Sequence, residues 1–391
     1  WIFVCLWTNA VGGIIWKTIY LKSMSVFILI VISGLYALLI LFFSVGILKT
    51  KKRSVVKTSP LSVSVVVPMR NEEEFLPRTL KALAEQDFEG DWEVILVNDR
   101  STDATPEIIE DFCKKNNLFR CLHLDHSLPD VEGPKKRALE YGFKEAKYEV
   151  LLIMDADCMP SKTWVSSMLD CFDENIQIVQ GAKKNTGTAS ILHRVQQLET
   201  LGFTAIEAAG YTLGVPMLAS AASLAYRKDL FFKVNGFEDL MGYSSGDDDM
   251  LIHKMIQEEG VGYCYNLDPN AIMKTAPVDS WKALFYQRAR WSSNGAKYQN
   301  PFYVLLLSLI YSFFVWLFVS PWLALFLKFP WQWFWAPFLM KCMLDFIFLG
   351  IAAFKLEQKK LLFSLPLVEF IQVPMIVLSV PFGWLGLFKW K

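Results

Sequence analysis

The chain has 391 residues, 53% hydrophobic and 15% aromatic, with 20% charged and a formal net charge of zero. A neutral balance lacks the basic footprint of a nucleic-acid binder. Most charges fall between Lys49 and Lys297, which leaves two nearly charge-free ends and a middle long enough for one sizeable α/β domain.

Val26 to Leu48 is an apolar run of the length a bilayer-spanning helix needs, about 20 residues. Lys49, Lys51, Lys52 and Arg53 follow at once, whereas only Lys17 and Lys22 lie close on the other side. The positive-inside rule therefore puts residue 54 onward in the cytoplasm. A cleaved signal peptide is the competing reading, but the run is long and no small-residue cleavage site follows it. The first Met is Met24, at the natural start of the anchor, so residues 1–23 read as an artefact or a fragment edge.

Val63 to Val67 predicts a buried strand running into Pro68-Met69-Arg70-Asn71-Glu72-Glu73, with a helix from about Phe75 to Glu85. Glu93 to Val97 predicts a second strand, ending in Asn98-Asp99-Arg100-Ser101-Thr102-Asp103, and Thr105 to Lys114 a second helix. Glu149 to Met154 predicts a third strand, ending in Asp155-Ala156-Asp157. This alternation predicts a mainly parallel sheet with helices on both faces. Ligands of such sheets bind beyond the carboxyl ends of the strands, where all these clusters fall.

Asp99, Ser101 and Asp103 are equally good turn and helix-cap residues. Asp155 and Asp157 are harder to read that way, because adjacent carboxylates repel unless a cation sits between them. Oxygen ligands of this kind suit Mg²⁺ or Mn²⁺. Asp247-Asp248-Asp249, between Ser244-Ser245-Gly246 and Met250-Leu251-Ile252, is either a solvated acidic turn or a helix start beside a cleft, where the dipole favours negative charge. Gln287-Arg288-Ala289-Arg290-Trp291 follows Trp281, Leu284 and Phe285 in an amphipathic helix at the membrane interface. A basic, aromatic anchor explains Trp281, Lys282 and Arg288. It does not explain why Gln287, Arg290 and Trp291 share a face at i, i+3 and i+4, from which Arg288 points away.

Three apolar spans follow: Phe302 to Leu327, about Trp333 to Phe354, and a last one from Leu361. Trp322, Trp331, Trp333 and Trp335 cluster at the turn between the first two as an interfacial belt, and Lys355, Lys359 and Lys360 mark the return. Pro366, Pro374 and Pro381 interrupt the last segment, which either crosses fully or folds back so that Lys389 and Lys391 end inside. Asp345, within a span, is expected to face other helices, for function or as a structural hydrogen bond. The seven cysteines have no metal or redox spacing and are expected to be reduced thiols, with Cys158 a packing residue. His123, His126, His193 and His253 do not cluster and suggest no zinc site.

Strand-end acids, an Asp-x-Asp and a terminal arginine are what transfer from a nucleotide diphosphate requires. Metal and arginine hold the leaving phosphates while a separate carboxylate activates the acceptor. As a set, these residues resemble the inverting glycosyltransferases of family 2, in the branch that includes cellulose, chitin and poly-N-acetylglucosamine synthases and ceramide glucosyltransferase. Val65 to Glu73 looks like that family's first strand and nucleotide loop, and Val97 to Asp103 like its second signature. Asp155-Ala156-Asp157 is similar to its metal motif, Gly246 to Leu251 to its catalytic-base motif, and Gln287 to Trp291 to its Gln-x-x-Arg-Trp motif. The resemblance covers residues 60 to 300 and the flanking spans.

It implies a fold and a division of the chain. Residues 1–53 would hold an N-terminal segment and anchor (span about 26–48). Residues 54–300 would form a cytoplasmic α/β, GT-A-like nucleotide-sugar-binding domain with a mainly parallel mixed sheet, ending in an interfacial helix. Residues 301–391 would form about three transmembrane helices. It also implies roles. Asp99 and Pro68 would contact the nucleoside and Glu72 the ribose, and Lys135 or Lys136, after Gly133, would reach the diphosphate. Asp155 and Asp157 would hold Mg²⁺ or Mn²⁺ and the phosphates. Asp248 would be the base, with Asp247 and Asp249 competing for the role. Arg290 and Gln287 would bind the diphosphate, and Trp291 would stack near the acceptor sugar. Two features depart from the family: Ala221-Ala222-Ser223 stands where relatives often have Gly-x-Asn, and fewer spans follow than in many polymer synthases.

The implied protein is an integral enzyme of the cell (inner) membrane. Its expected partners are a nucleotide-diphosphate sugar, UDP-linked by family, and a lipid-linked or glycan acceptor, with no nucleic acid. A processive polysaccharide synthase is the alternative, and a membrane protein that senses nucleotide sugars without turnover is the alternative of another class.

Overall fold

The structure, a computed structural model, describes residues 2–51, 61–125, 133–243, 245–295, 297–298 and 300–388, with the backbone alone from 2 to 25. In chain order the elements are α1 Ile2–Lys49, β1 Val63–Met69, α2 Leu76–Ala84, β2 Trp92–Asn98, α3 Thr105–Lys115, β3 Phe119–His123, α4 Pro134–Glu145, β4 Val150–Ile153 and β5 Cys158–Met159. Then come α5 Trp164–Leu169, β6 Ile176–Gly181, β7 Lys183–Asn185, α6 Ile191–Leu213, β8 Leu224–Arg227, α7 Lys228–Lys233, α8 Asp249–Met255, β9 Gly262–Asn266 and β10 Met273–Thr275. The helices α9 Trp281–Ser292, α10 Pro301–Leu327, α11 Gln332–Lys355 and α12 Leu365–Trp384 complete the chain.

Seven strands form one sheet in the order β3-β2-β1-β4-β8-β6-β9. Neighbours run parallel except β8, which is antiparallel to both β4 and β6. The sheet is therefore mixed and mostly parallel, as the sequence predicts. β1 sits between β2 and β4, so the chain reverses its direction of winding there, and a crevice opens beyond the strand ends at that point. Alternate residues divide the core: Val63, Val65 and Val67 share a cluster with α2 and α5, whereas Val66 lies on the opposite face against Gly142 of α4. A second, three-stranded sheet, β5-β10-β7, braces the turn after Asp157.

Among the described residues, four helical stretches are long and apolar enough to cross a membrane: Val26–Lys49, Pro301–Leu327, Gln332–Lys355 and Lys359–Trp384. They match the sequence-predicted spans to within two residues at each end that was given. The basic ends of α1 and α11 lie together, where Lys355 Nζ donates to the carbonyls of Leu48 (3.0 Å) and Thr50 (2.6 Å). Asp345 does face other helices. It accepts from Tyr36 Oη of α1 at 2.6 Å and from Lys341 Nζ at 2.8 Å, and Lys341 also pairs with Glu369 and reaches Gln372 of α12 at 3.0 Å.

The prolines do not interrupt α12, which runs unbroken through Pro374 and Pro381. Proline leaves the carbonyl four residues earlier without its helical donor, a costly vacancy away from water. Here α10 supplies replacements. Tyr311 Oη donates to the Val377 carbonyl, four before Pro381, at 3.1 Å. Trp316 Nε1 does the same for Trp333, four before Pro337 of α11, at 2.9 Å. At the far end of α12, Gly383 lies so close to α9 that a Cβ would stand 2.2 Å from the Ala289 carbonyl oxygen. The turn that precedes α12 packs on α6, and α12 itself packs on α9. Lys389 and Lys391 lie outside the described residues.

Candidate active site

The loops after β1 and β2 turn at Asn71 (φ 56°) and Arg100 (φ 55°), a left-handed conformation uncommon outside glycine and frequent at functional sites. Each loop satisfies the other. Asn71 N donates to Ser101 Oγ at 2.9 Å, Thr102 N to Asn71 Oδ1 at 2.8 Å, Glu72 N to Thr105 Oγ1 at 2.9 Å and Glu73 N to Asp103 Oδ2 at 3.1 Å. Ser101 and Asp103 thus hold the loops, whereas Pro68, Glu72 and Asp99 line the cleft between them. Asp99, itself buried, accepts from Arg100 Nε at 2.9 Å and Arg137 Nη2 at 3.3 Å.

At the end of β4, Asp155 and Asp157 offer carboxylate oxygens that lie, with Cys158 Sγ, within 4.8 Å of one another. Thr79 Oγ1 fixes this turn, 2.8 Å from the Ala156 carbonyl and 3.0 Å from that of Cys158. Burial and the two aspartates push the Cys158 thiol well above its usual range, so it stays protonated and directs its hydrogen to Asp157 Oδ1 at 3.5 Å. Two hard carboxylates with a protonated thiol behind them fit Mg²⁺ or Mn²⁺, and not a thiophilic metal.

Gly246 adopts φ 91°, open only to glycine without strain, and turns the chain into Asp247-Asp248-Asp249. The three carboxylates differ in their partners. Asp247 Oδ2 lies 2.7 Å from Lys135 Nζ, which also reaches Asp155 Oδ1 at 2.6 Å. Asp249 accepts from the Tyr298 phenol. Asp248 takes only backbone N–H groups among the described residues: Asp249 N at 2.9 Å and Ala221 N at 3.3 Å. Ala221, the first residue of the Ala221-Ala222-Ser223 segment, thus supplies one of the two bonds to Asp248.

These partners set the charges. Burial pulls the Lys135 ammonium down, but Asp155, Asp247 and Asp248 together raise it well above the ordinary lysine value. Burial would raise Asp247, and Lys135 reverses this to hold it below the usual carboxylate range. Burial, then Asp247 and Asp249, push Asp248 well above that range.

Lys136 does not share the place of Lys135. One residue along a helix rotates a side chain by about 100°, and Lys136 points into the protein. It is buried, with Nζ donating to the carbonyls of Tyr243 (2.7 Å) and Ser245 (2.8 Å), so the expectation that it reaches a diphosphate is corrected. It tethers the approach to the acidic run.

Ser280 caps α9, its side chain accepting from Ala283 N at 3.1 Å. Gln287, Arg290 and Trp291 line the cleft together, as their spacing predicts. Burial lowers Arg290, opposed by Asp247, Asp155 and Asp248, and it remains a cation. Arg288 turns toward the protein. Its Nε and Nη2 lie 3.1 and 2.5 Å from Glu199 Oε2 of α6, its Nη1 donates to Gln287 Oε1 at 2.7 Å, and its guanidinium covers the Trp291 ring at 4.2 Å.

All of this opens on one cleft of about 1300 Å³. Lys183 and Glu207, an ion pair at 3.0 Å, also line it, as do Tyr298 and the facing sides of α10 and α12. Sequence reading missed Lys183 and Glu207, which stand in no motif, and β7 and α6 bring them to the cleft from opposite sides of a turn.

Residues 64–231 match the family described as "Glycosyl transferase family 2". The probable glycosyltransferase YdaM of Bacillus subtilis is 28% identical over 235 residues, covering 59% of this chain and 54% of that protein. The poly-beta-1,6-N-acetyl-D-glucosamine synthase of Staphylococcus epidermidis is 28% identical over 238 residues, covering 60% of this chain and 54% of that one. The chain spans about half the length (54%) of the curated relatives it matches. The mannosyltransferase PcManGT of Pyrobaculum calidifontis, solved with GDP-Man and Mn²⁺, shares the GT-A fold: TM-score 0.59 at 16% identity, covering 94% of this chain and 100% of that one.

Proposed function

We propose that this chain, whose residues 64–231 match the glycosyl transferase family 2 model, moves a sugar, with inversion, from a nucleotide-diphosphate sugar to a lipid-linked or glycan acceptor at the membrane. The observation that carries this reading is the convergence of Asp99, Asp155, Asp157, Asp248 and Arg290 on one cleft that continues between membrane-type helices.

Asp99 and the stitched loops would receive the nucleoside, for which UDP is the expectation from the family. Asp155 and Asp157 would hold the divalent ion, which when bound supplies Lewis-acid stabilisation of the diphosphate. Lys135 and Arg290 add two fixed positive charges where the leaving group gathers negative charge, and Gln287 adds a polar side chain beside them. Asp248 takes the proton of the acceptor hydroxyl, a role worth ~10²–10⁴ in rate. Its raised proton affinity, and hydrogen bonds that among the described residues come from backbone N–H groups, suit a base better than Asp247 or Asp249, whose carboxylates are engaged by Lys135 and Tyr298. Trp291 would bound the acceptor sugar.

The domain is read as cytoplasmic. The cluster of Lys355 with the end of α1, beside Lys49 and Lys51, puts the basic ends on the domain's side, in keeping with the positive-inside rule.

Membranes containing the protein, incubated with a panel of nucleotide sugars and a divalent ion, should release nucleotide from one of them. No release from any donor would leave the non-catalytic sensor as the better reading. A processive synthase is favoured by one observation, the relatives named as polysaccharide synthases. Product length separates the two: one added sugar, or a ladder.

A further inference from the structure

The cleft does not end at the carboxylates. The same cleft is also lined by two helices, through Val304, Leu307 and Tyr311 of α10 and Ile376, Val380 and Trp384 of α12. Steps of three or four residues keep each set on one helical stripe, so these are two matching walls. The walls are fixed in place. Tyr311 Oη holds the Val377 carbonyl, and Gly383 seats α12 against the helix that carries Arg290.

Charge changes along the same path. The cations that line the cleft are Arg70, Lys135, Lys183 and Arg290, all on the sheet side or on α9. Among the described residues none lines the α10 or α12 wall. Lys135 and Lys183 are already paired with acids, and on the α10 side the lining carries Asp249, bonded to Tyr298 three residues before that helix, with Asp248 next to it in the chain. An occupant of both parts needs an apolar tail for the groove and a polar end that brings no negative charge beside two carboxylates.

We infer that the acceptor is a membrane lipid with an uncharged, hydroxyl-bearing head group, its tail between α10 and α12 and its hydroxyl at Asp248. This rests on the glycosyltransferase reading of the same cleft. The lipid's hydroxyl oxygen bonds to the anomeric carbon and its proton passes to Asp248. The bond from that carbon to the diphosphate oxygen breaks, and its electron pair leaves on the nucleoside diphosphate. A polyprenyl phosphate offers the same tail but brings an anion to the acidic junction. A soluble glycan offers the hydroxyl and leaves the groove unfilled.

The test uses the full chain in phosphatidylcholine nanodiscs with labelled UDP- and GDP-sugars and three acceptors: dioleoylglycerol, undecaprenyl phosphate and a soluble gluco-oligosaccharide. Label should enter dioleoylglycerol at least tenfold faster than either of the others. Ile376→Trp with Val380→Trp should fill the groove and cut lipid labelling at least tenfold, while the affinity for UDP stays within twofold and so reports a folded nucleotide half. A diazirine-bearing diacylglycerol should cross-link to α10 and α12 peptides in the unmodified protein. Preference for the oligosaccharide or the polyprenyl phosphate, or cross-links confined to other helices, overturns the inference and leaves sugar transfer standing. If no donor releases its nucleotide with any acceptor, the transferase reading fails and the inference falls with it.

Discussion

Two N–H groups of Arg288 converge on one oxygen of Glu199, at 3.1 and 2.5 Å, across the gap between α9 and α6. Both side chains are nearly buried, and the same guanidinium bonds Gln287 and covers Trp291. The pair therefore sets the position of the helix face that points into the cleft. By its spacing Arg288 points away from the face of Gln287, Arg290 and Trp291, yet a lysine there could not hold Glu199, Gln287 and Trp291 at once. Arg288→Lys and Glu199→Gln should each lower kcat about tenfold or more, and the double variant should cost much less than the product of the two. Such non-additivity is what residues in one network show. Full additivity in a double-mutant cycle would separate them.

Arg290→Lys should cost activity more heavily than any change at Arg288 while leaving membrane association intact. Arginine's planar fork can bind a diphosphate through two N–H groups, and lysine offers a point charge. Association with membranes rests on the apolar helices and should not respond. Sedimentation with membranes and turnover, measured on the same preparation, decide this. Equal, small effects of Arg290→Lys and Arg288→Lys would point to a mere interfacial anchor.

Asp157→Ala should abolish both turnover and the calorimetric signal of Mn²⁺ binding measured with UDP present, while the fold persists. Undiminished activity in EDTA would defeat the assignment of Asp155 and Asp157 to a metal.

Asp248→Asn should retain donor affinity and lose transfer by about two to four orders of magnitude, because only the proton acceptor is removed. The sign of the pH dependence follows from its raised proton affinity. A base must be deprotonated to act, so kcat/KM should fall on the acid side, starting at a higher pH than an ordinary carboxylate would give. If Asp248→Asn turned over normally while Asp247→Asn or Asp249→Asn was dead, the base would be reassigned.

Trp316→Phe should destabilise the helix bundle by about 1 kcal/mol, the usual worth of one such hydrogen bond. Adding Pro337→Ala should recover most of that loss, since alanine restores the N–H that the Trp333 carbonyl lacks. Thermal unfolding in detergent, single variants against the pair, reads this directly. Equal destabilisation with and without Pro337 would mean that Trp316 acts through packing alone.

What the sequence determined is local. Runs of about 20 apolar residues announce helices that can cross a bilayer, because the bilayer's thickness fixes their length. Short β-branched runs ending in Asp99 and Asp155 announce strands with acids at their carboxyl ends, and i, i+3, i+4 spacing put Gln287, Arg290 and Trp291 on one face. The choices among neighbours were not legible. Lys135 enters the cleft and Lys136 turns inward, yet they are adjacent lysines on the same turn. Asp248 is singled out from Asp247 and Asp249 only because Lys135 and Tyr298, more than 110 and about 50 residues away in the chain, engage the other two. Pro381 of α12 reads as a break because the donor it removes is local, whereas the replacement, Tyr311, comes from another helix. Each of these outcomes depends on a partner brought in by packing, and the chain's own order carries no trace of which partner that will be.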